Sequence, residues 1–368
     1  MSNQAPSKPV LFALNNAPLI LFAVVLAIFG VMSPKFLAGD NLVNILIQTS
    51  ATGIVATGMT FVLLTAGVDL SVGAVMFVGA AVAGKMVLAG QPLSLALAAM
   101  VGVGLVFGAI NAVFITSLRI VAFVVTLATL FVGRGFALWI TETRAMNLPE
   151  SFLQLGSARL KCLPESWLKA LADGLASVSY PLYKFTRPLL EGIPVPVLIF
   201  ALVVALAHLV LARTPFGRQI YALGNSPENA RKAGVRADRI LFTVYVISGF
   251  CAALGGIISL AQLGAVSPKF GLDYEFKAIA AAVLGGTSLF GGRGRVFPGT
   301  LLGAVLIQSV ENGLNVLNAD PYLYPLITSA IIFVAVLLDS ARNHLLATLS
   351  RRRIRAERTG ETSFRGSG

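Results

Sequence analysis

The sequence predicts an all-α polytopic membrane protein with about ten transmembrane helices, including broken and short helices, around a central path. Of its 368 residues, 56% are hydrophobic and only 12% are charged, and the mean hydropathy is +0.83. A soluble domain carries roughly 25% charged residues, so this composition is typical of a membrane protein. Ten apolar stretches approach the ~20 residues that cross a bilayer. The eighth is short and ends in a glycine-rich break, which predicts a half-length helix.

The ten predicted spans fix an orientation when they are combined with the placement of basic residues. Lysine and arginine concentrate in 213–239 and 342–358, as is typical of cytoplasmic segments. This pattern explains the net charge of +12 without a nucleic-acid partner. We expect both termini in the cytoplasm of a bacterial inner membrane, one transmembrane domain over 1–345, and a basic cytoplasmic tail over 346–368. The predicted spans are 12–32, 42–66, 72–90, 93–117, 120–140, 194–212, 240–262, 275–290, 297–317 and 323–340.

The long segment 141–193 is too polar to cross the bilayer, and the alternation of spans places it outside, as a periplasmic insertion. Within it, Ala158–Leu175 has the spacing of a short amphipathic helix. We expect this helix at the outer surface, although a solvated loop without a specific role fits the same residues.

The stretch Gly285–Arg295, GGTSLFGGRGR, interrupts two apolar runs. Non-helical backbone at membrane depth is stable only where protein or a watery cavity covers it, so we expect a re-entrant or tightly turned element. A weaker interruption lies in Gly58–Val75, and paired interrupted helices are typical of transport sites. The residues expected to form a gating turn are Gly285, Gly286, Thr287, Ser288, Gly291 and Gly292.

Several polar residues lie within or between the apolar runs. Uncharged donors and acceptors suit a path for a neutral, hydroxyl-rich solute, yet each one is also typical of contacts between helices. Asp69 favours a role in capping or packing near residue 72 over direct contact with a solute. Gly104/Gly108 and Gly299/Gly303 predict close helix packing. The candidate path residues are Asn44, Gln48, Thr60, Asp69, Asn111, Thr126, Gln308 and Asn312.

The chain lacks the signals of a nucleotide or metal site. Gly79–Lys85 resembles part of a phosphate-binding loop, but Met86 stands where that motif needs serine or threonine, and no soluble strand precedes it. The two histidines, His208 and His344, show no metal-ligand spacing. We therefore expect no catalytic residue, no metal and no cofactor bound by this chain.

The polar segment Thr214–Val235 predicts a short cytoplasmic helix. Ser226 can cap it, Pro227 suits its first position, and Gly234 can end it. A protruding capped helix suits docking into a partner, and a solvated loop is an equal alternative on these residues.

Together these stretches resemble the permease subunits of the ribose/galactose/xylose class of bacterial ABC importers. The matching pieces are GVDLSVG at 67–73, VVTLATLFVGRG at 124–135, TPFGRQIYALGNSPENARKAGV at 214–235, and the block at 274–314. The chain departs from the family at Val121, where proline is frequent, and in the length of 141–193.

The resemblance implies a permease that works by alternating access and performs no chemistry on its solute. Its implied partners are ABC ATPase subunits that bind ATP and magnesium, a second copy or a sister permease, a periplasmic sugar-binding protein and the lipid bilayer. The resemblance also implies that 213–239 couples the permease to the ATPase. The residues that carry this coupling role are Gly224, Asn225, Glu228, Ala230 and Gly234.

Two other functions are compatible with the same residues. An ion-coupled secondary transporter of a small polar solute would need ionisable groups in the membrane, and Asp69 and Glu311 are the best-placed acids. An intramembrane serine protease would need a pair such as Ser288 and His208, although an isolated histidine in a span is more often packed or hydrogen-bonded.

Overall fold

The fold is taken from a computed structural model that describes residues 17–161, 179, 185–188, 190–320, 322–330, 333 and 337. Four predicted features lie partly or wholly outside these residues: the start of the first span, the centre of the 141–193 segment, the end of the tenth span and the basic tail 346–368.

The described residues form a helical bundle, which confirms the predicted fold class. Five of its helices are long and apolar enough to cross a membrane: Gly39–Leu64, Leu93–Thr116, Ala122–Thr141, Val195–Arg213 and Ala237–Leu263. The helices are α1 (Ala17–Met32), α2 (Gly39–Leu64), α3 (Val72–Leu88), α4 (Leu93–Thr116), α5 (Ala122–Thr141), α6 (Glu150–Ser157), α7 (Val195–Arg213), α8 (Pro215–Asn225), α9 (Pro227–Lys232), α10 (Ala237–Leu263), α11 (Tyr274–Leu284) and α12 (Leu301–Val316). A π-helical turn, Val296–Thr300, leads into α12, and residues 323–330 are helical.

Helices α2 and α10 lie at the centre of the bundle. α10 packs along both α2 and α4, while α11 and α12 pack against α2 and α3 packs against α4 and α5. In the apolar window of α2, 83% of residues are buried, against 22% in α4. The outer helices therefore present apolar side chains to the surroundings, and α2 is enclosed by its own chain.

Helix α11 has 11 residues, so the eighth predicted span is a half-length helix as expected. It ends where Gly285 and Gly286 follow, and Gly286 has a φ of +88° that only glycine adopts easily. The N–H groups of Gly286 and Thr287 donate to the carbonyls of Val283 and Ala282, which closes the helix end. Near the start of α11, the backbone of Gly271 touches that of Gly73 in α3, so two interrupted segments meet inside the bundle.

Two short antiparallel pairings occur at the end of the bundle opposite α8 and α9. Strand β1 (Met146–Asn147) pairs with β4 (Ala265–Val266), and Met146 lies opposite Val266. Strand β2 (Arg159–Leu160) pairs with β3 (Ile193–Pro194), and Arg159 lies opposite Pro194.

These pairings correct the helix predicted over Ala158–Leu175. Helix α6 ends at Ser157, and Arg159–Leu160, inside the predicted helix, form a strand. Pairing with β3 overrides the helical pattern, and Arg159 is further held by a hydrogen bond to the Pro188 carbonyl and an ion pair with Glu191. The remainder of that predicted helix, 162–175, is not among the described residues.

The predicted close packing at Gly104 and Gly108 is present between α4 and α10. A Cβ atom on Gly104 would collide with the carbonyl oxygen of Gly249 and lie 2.7 Å from Cβ of Ala253, and one on Gly108 would lie 2.6 Å from the carbonyl oxygen of Tyr245. Gly299 and Gly303 likewise pack against the backbone of α11 and its end. The two helices approach to backbone contact because these residues have no side chain.

Gly104→Val should lower the melting temperature of the purified protein, because overpacking a tight contact costs about 1–3 kcal/mol. Gly102→Val is a matched control, since it puts the same residue on the same helix where a Cβ meets nothing within 4 Å. Thermal unfolding of both variants in one detergent makes the comparison. Equal melting temperatures would show that the α4–α10 contact contributes little to stability.

Candidate coupling and translocation sites

The glycine loop, residues Gly285–Arg295, folds into a tight turn. The Ser288 N–H donates to the Arg293 carbonyl at 2.8 Å, and the Gly291 N–H donates to the Ser288 carbonyl at 3.3 Å. Gly291 and Gly292 have φ values of +83° and +69°. Thr287 and Ser288 are buried. The glycine loop is therefore a tight turn that is buried at Thr287, Ser288, Gly291 and Gly292 and exposed at Phe290 and Arg293.

The glycine loop is joined directly to the end of α2. The Gly292 N–H donates to the Leu64 carbonyl at 2.9 Å, and Gly291 packs against Ala66. Thr60 of α2 shares a 2.7 Å hydrogen bond with Thr300, which follows the loop, and both threonines are buried. A displacement of the loop must therefore displace the end of α2 or break these contacts.

The same loop is joined on its other side to α8. The Tyr221 hydroxyl donates to the Gly294 carbonyl at 2.9 Å, and the Asn225 amide donates to the Gly292 carbonyl at 3.3 Å. Burial raises the pKa of the Tyr221 phenol while nearby Arg295 lowers it, with burial dominant, so the hydroxyl stays protonated and donates. Gly224 packs so closely on the Leu64 carbonyl and the Gly292 N–H that no Cβ fits there.

Helix α9 has the local geometry predicted for it. The Ser226 hydroxyl accepts from the Asn229 N–H at 3.4 Å, and Pro227 is the first helical residue. Gly234 follows the helix with a φ of +83°. Ala230 is buried, whereas Glu228 is exposed and forms a 2.7 Å ion pair with Lys232.

The five predicted coupling residues thus divide into two groups. Gly224 and Asn225 attach α8 to the glycine loop, and Ala230 anchors α9 on the bundle. Glu228 is on the exposed surface of α9, and Gly234 shapes the turn after it.

Asp69 lies at the centre of a buried polar cluster, defined as Asp69, Ser71, Asn111, Thr129 and Ser248. The N–H and hydroxyl of Ser71 donate to Asp69 Oδ1 at 3.0 and 2.6 Å, and the Ser248 hydroxyl donates to Oδ2 at 2.7 Å. Asn111 donates to Ser71 Oγ and accepts from Thr129 Oγ1, both at 2.9 Å. Of the two roles predicted for Asp69, capping and packing, its bonds to Ser71 and Ser248 are packing contacts, and the Ser71 side chain makes no capping bond to the first turn of α3.

This Asp69 cluster joins the break between α2 and α3 to three other helices. Asn111 belongs to α4, Thr129 to α5 and Ser248 to α10. Thr126 of α5 and Tyr245 of α10 add hydrogen bonds to the Val68 carbonyl at 3.3 and 3.4 Å. Three predicted path residues, Asp69, Asn111 and Thr126, are at most 1% exposed and bond to protein groups.

The other predicted path residues, apart from Thr60, form a polar ladder between α2 and α12. Gln308 donates to Gln48 at 2.8 Å, and Gln48 donates to Asn44 at 3.3 Å. The side chains of Asn312 and Asn41 exchange hydrogen bonds of 3.0 and 2.8 Å. The ladder lies at the start of α2, far from the glycine loop at its end.

A cavity of about 500 Å³ opens beside this ladder, between α2, α6 and α10. Asn44 and Gln48 line one side, Gln262 lines another, and Ser157 of α6 lines a third. Gln262 also donates to the Ile47 carbonyl at 2.8 Å. Amide groups that line a cavity of this size can exchange hydrogen bonds with a small hydroxyl-bearing solute.

Three ionisable residues of α11 and α12 make contacts that the sequence did not predict, although Glu311 was already recognised as an acid in an apolar stretch. Lys277 and Glu311 form a 2.7 Å ion pair between α11 and α12, and the Lys277 ammonium lies 5.7 Å from the Tyr274 ring centre. Glu275 is 3% exposed, and its Oε2 has no hydrogen-bond partner among the described residues. An ionisable residue in an apolar stretch by itself indicates a paired or functional position. The stretch 274–284 contains two, Glu275 and Lys277, so this indication was present in the sequence.

The contacts of Ser288 and His208 do not support the intramembrane serine protease alternative. Ser288 Oγ accepts from the Phe290 N–H at 3.2 Å, while the exposed His208 ring packs on Phe297 with ring centres 5.8 Å apart. Within the described part of the chain, no hydrogen bond joins Ser288 to His208, and no group of three or more histidine, cysteine or acidic residues could hold a metal.

Comparison with known proteins identifies the family. A family described as "Branched-chain amino acid transport system / permease component" matches residues 41–337. The ribose import permease protein RbsC of Haemophilus influenzae is 37% identical over 329 residues, which cover 89% of this chain and 94% of the relative. The D-allose transport system permease protein AlsC of Escherichia coli is 36% identical over 347 residues, covering 92% and 96%. The xylose transport system permease protein XylH of Escherichia coli is 32% identical over 376 residues, covering 91% and 95%.

No solved structure matches the chain. The relatives are transport permeases and give no support to the ion-coupled alternative. Because the family match spans most of the chain and the relatives align over nearly their whole lengths, the predicted resemblance is confirmed, and the chain belongs to the permease family of ABC importers.

Proposed function

We propose that this chain is the membrane-spanning subunit of an ABC importer for a monosaccharide or related polyol. Its relatives named for ribose, allose and xylose transport support this solute class. Separate ATPase subunits, which bind ATP and magnesium, drive alternating access, and a periplasmic sugar-binding protein delivers the solute. The chain pairs in the bacterial inner membrane with a second copy of itself or a sister permease.

The observation that carries this proposal is the continuous link from α8 through the glycine loop to α2. Hydrogen bonds from Tyr221 and Asn225 hold the loop on one side, and the Gly292–Leu64 bond holds it on the other. Motion imposed on α8 and α9 by an ATPase subunit would thus reach α2 through backbone contacts. Differential binding to two such arrangements is what allows ATP to shift their populations.

The proposed topology places α8 and α9 in the cytoplasm with both termini, and 141–193 in the periplasm. The basic residues of 213–239 support this orientation. The polar ladder and its cavity then lie toward the periplasm, where solute arrives. The residues 1–345 act as one permease domain, and 346–368 is a basic cytoplasmic tail.

The proposed path runs along α2 from Asn44 and Gln48 toward Thr60, a distance of roughly 24 Å at 1.5 Å per residue. It is closed at Thr60, which is buried and bonded to Thr300. Gln308 and Asn312 of α12 face it at the periplasmic end. Asp69, Asn111 and Thr126 hold the wall of the path in place, because their polar groups are already bonded to protein. The glycine loop, including Gly285, Gly286, Thr287, Ser288, Gly291 and Gly292, closes the cytoplasmic end.

Glu228→Arg should abolish retention of the ATPase subunit on the purified permease, because it reverses the charge at position 228 and removes the acid that pairs with Lys232 on the exposed face of α9. Insertion into the membrane should be unchanged. Glu191→Arg is the control: Glu191 also pairs with a cation four residues away, Arg187, but lies at the opposite end of the bundle. Co-purification with the ATPase is the measurement, and equal retention by both variants would remove α9 from the docking surface.

Asp69→Ala should lower the melting temperature, because it leaves the hydroxyls of Ser71 and Ser248 without their acceptor, at about 1–3 kcal/mol per buried group. Asp69→Asn should lose less, since the Ser248 hydroxyl can accept from the new amide. Asp320→Ala is the control, because Asp320 accepts from an N–H two residues on, as Asp69 does, but is exposed. Normal stability with lost uptake in Asp69→Ala would instead make Asp69 a solute contact.

Gln48→Leu should lower the maximal rate of sugar uptake several-fold, because it removes the amide that links Asn44, Gln308 and the cavity. ATPase retention should remain normal. Thr49→Val is the control on the same helix, since Thr49 is buried and its hydroxyl bonds only to its own helix at Ile45. Uptake by vesicles with saturating binding protein distinguishes them, and unchanged uptake in Gln48→Leu would exclude the ladder from the path.

A further inference from the structure

Phe290 stands at the tip of the glycine loop with 80% of its surface exposed. The preceding Leu289 packs against the core, so the loop already buries one apolar side chain and presents the next one outward. A single exposed apolar residue is ordinary in itself. Two further observations distinguish Phe290: its backbone is held in place by hydrogen bonds, and its loop packs against the end of α8.

The backbone that carries Phe290 is firmly held. The Phe290 N–H donates to Ser288 Oγ at 3.2 Å, and the turn around it is closed by the Ser288–Arg293 and Gly291–Ser288 bonds. Gly292, two residues further on, is bonded to Leu64 and Asn225. An aromatic side chain on a fixed backbone loses little conformational freedom when it binds a partner, which favours affinity.

The glycine loop packs against the end of α8, which leads directly into α9. Gly291, next to Phe290, lies against the carbonyl of Gly224, and Gly292 lies against Asn225. Arg293 is exposed on the same turn, and Arg231 and Lys232 are exposed on α9. Phe290 therefore lies on a turn that carries an exposed arginine and packs against the end of α8.

We propose that Phe290 and Arg293 form a second docking surface for the ATPase subunit, beside α9. Phe290 fills an apolar depression on that subunit, and Arg293 pairs with acidic or carbonyl groups at its rim. Aromatic and arginine side chains at the centre of an interface carry a large share of binding energy. This inference rests on the proposed function, which places α9 against the ATPase. It adds that the loop bonded to α2 is contacted directly by the ATPase.

The direct test is a photo-crosslinking amino acid at position 290 in the full-length permease, assembled with its co-encoded ATPase in lipid nanodiscs. The expected product joins the permease to the ATPase. The same probe at position 131 is the control, because Phe131 is 66% exposed on the outer face of α5. A probe at 290 that labels only lipid, or only a second permease, would overturn the proposal.

The affinity of the Phe290→Ala and Phe131→Ala variants for the ATPase subunit tests whether Phe290 contributes binding energy. Phe290→Ala should raise the dissociation constant for the ATPase subunit about tenfold or more, the effect of losing an interface anchor. Phe131→Ala should leave it unchanged. A matching change in both variants, or in neither, contradicts a docking role for Phe290.

Glu228→Arg, measured in parallel, separates this inference from the proposed function. If Glu228→Arg loses the ATPase while Phe290→Ala binds normally and the 290 probe does not label it, docking through α9 stands and the second surface is wrong. If neither variant weakens binding and no label appears, docking at this end of the permease is wrong altogether.

Discussion

The structure depends on how the backbone at the end of α2 is completed. A helix leaves its last carbonyl groups without partners inside the helix, and a buried carbonyl without a donor is costly. Here the Leu64 carbonyl accepts from Gly292, a residue of the glycine loop more than two hundred positions away. Because Gly224 packs on the same carbonyl, three segments of the chain meet at one peptide group. A side chain on Gly224 or Gly292 would force these three segments apart.

Several charged groups in the apolar interior of the bundle are paired or hydrogen-bonded. The carboxylate of Asp69 receives donors on both oxygens, and Lys277 and Glu311 neutralise each other across α11 and α12. Such groups are expensive in a membrane unless they are paired or hydrogen-bonded. The Asp69 cluster gathers donors from α4, α5 and α10 around the break after α2. The interrupted backbone is thereby stabilised by the helices that surround it.

The features visible in the sequence are those that depend on neighbouring residues. Ser226, Pro227 and Gly234 indicated the bounds of α9 because capping acts over three or four positions, and Gly285 and Gly286 indicated where α11 ends. The bonds of Asp69 to Ser248 and of Asn41 to Asn312 join residues 179 and 271 positions apart, and no local pattern encodes them. The helix predicted over 158–175 was wrong in its first turn for the same reason: the partner strand begins at residue 193. The hydrogen bonds from α8 to the glycine loop also join residues far apart in the sequence, so no local pattern predicted them.

The enclosure of α2 has a consequence for how this chain is made. The mean hydropathy of its apolar window, 1.5, is below that of the other four long spans, and its many glycine, serine and threonine residues are covered by α10, α11 and α12. All three covering helices follow later in the chain. During synthesis, α2 therefore enters the membrane while its polar positions still lack their neighbours, and it must wait in lipid or beside the insertion machinery until α10 arrives. Helix α2 therefore reaches its final packing only after the second half of the protein has been translated.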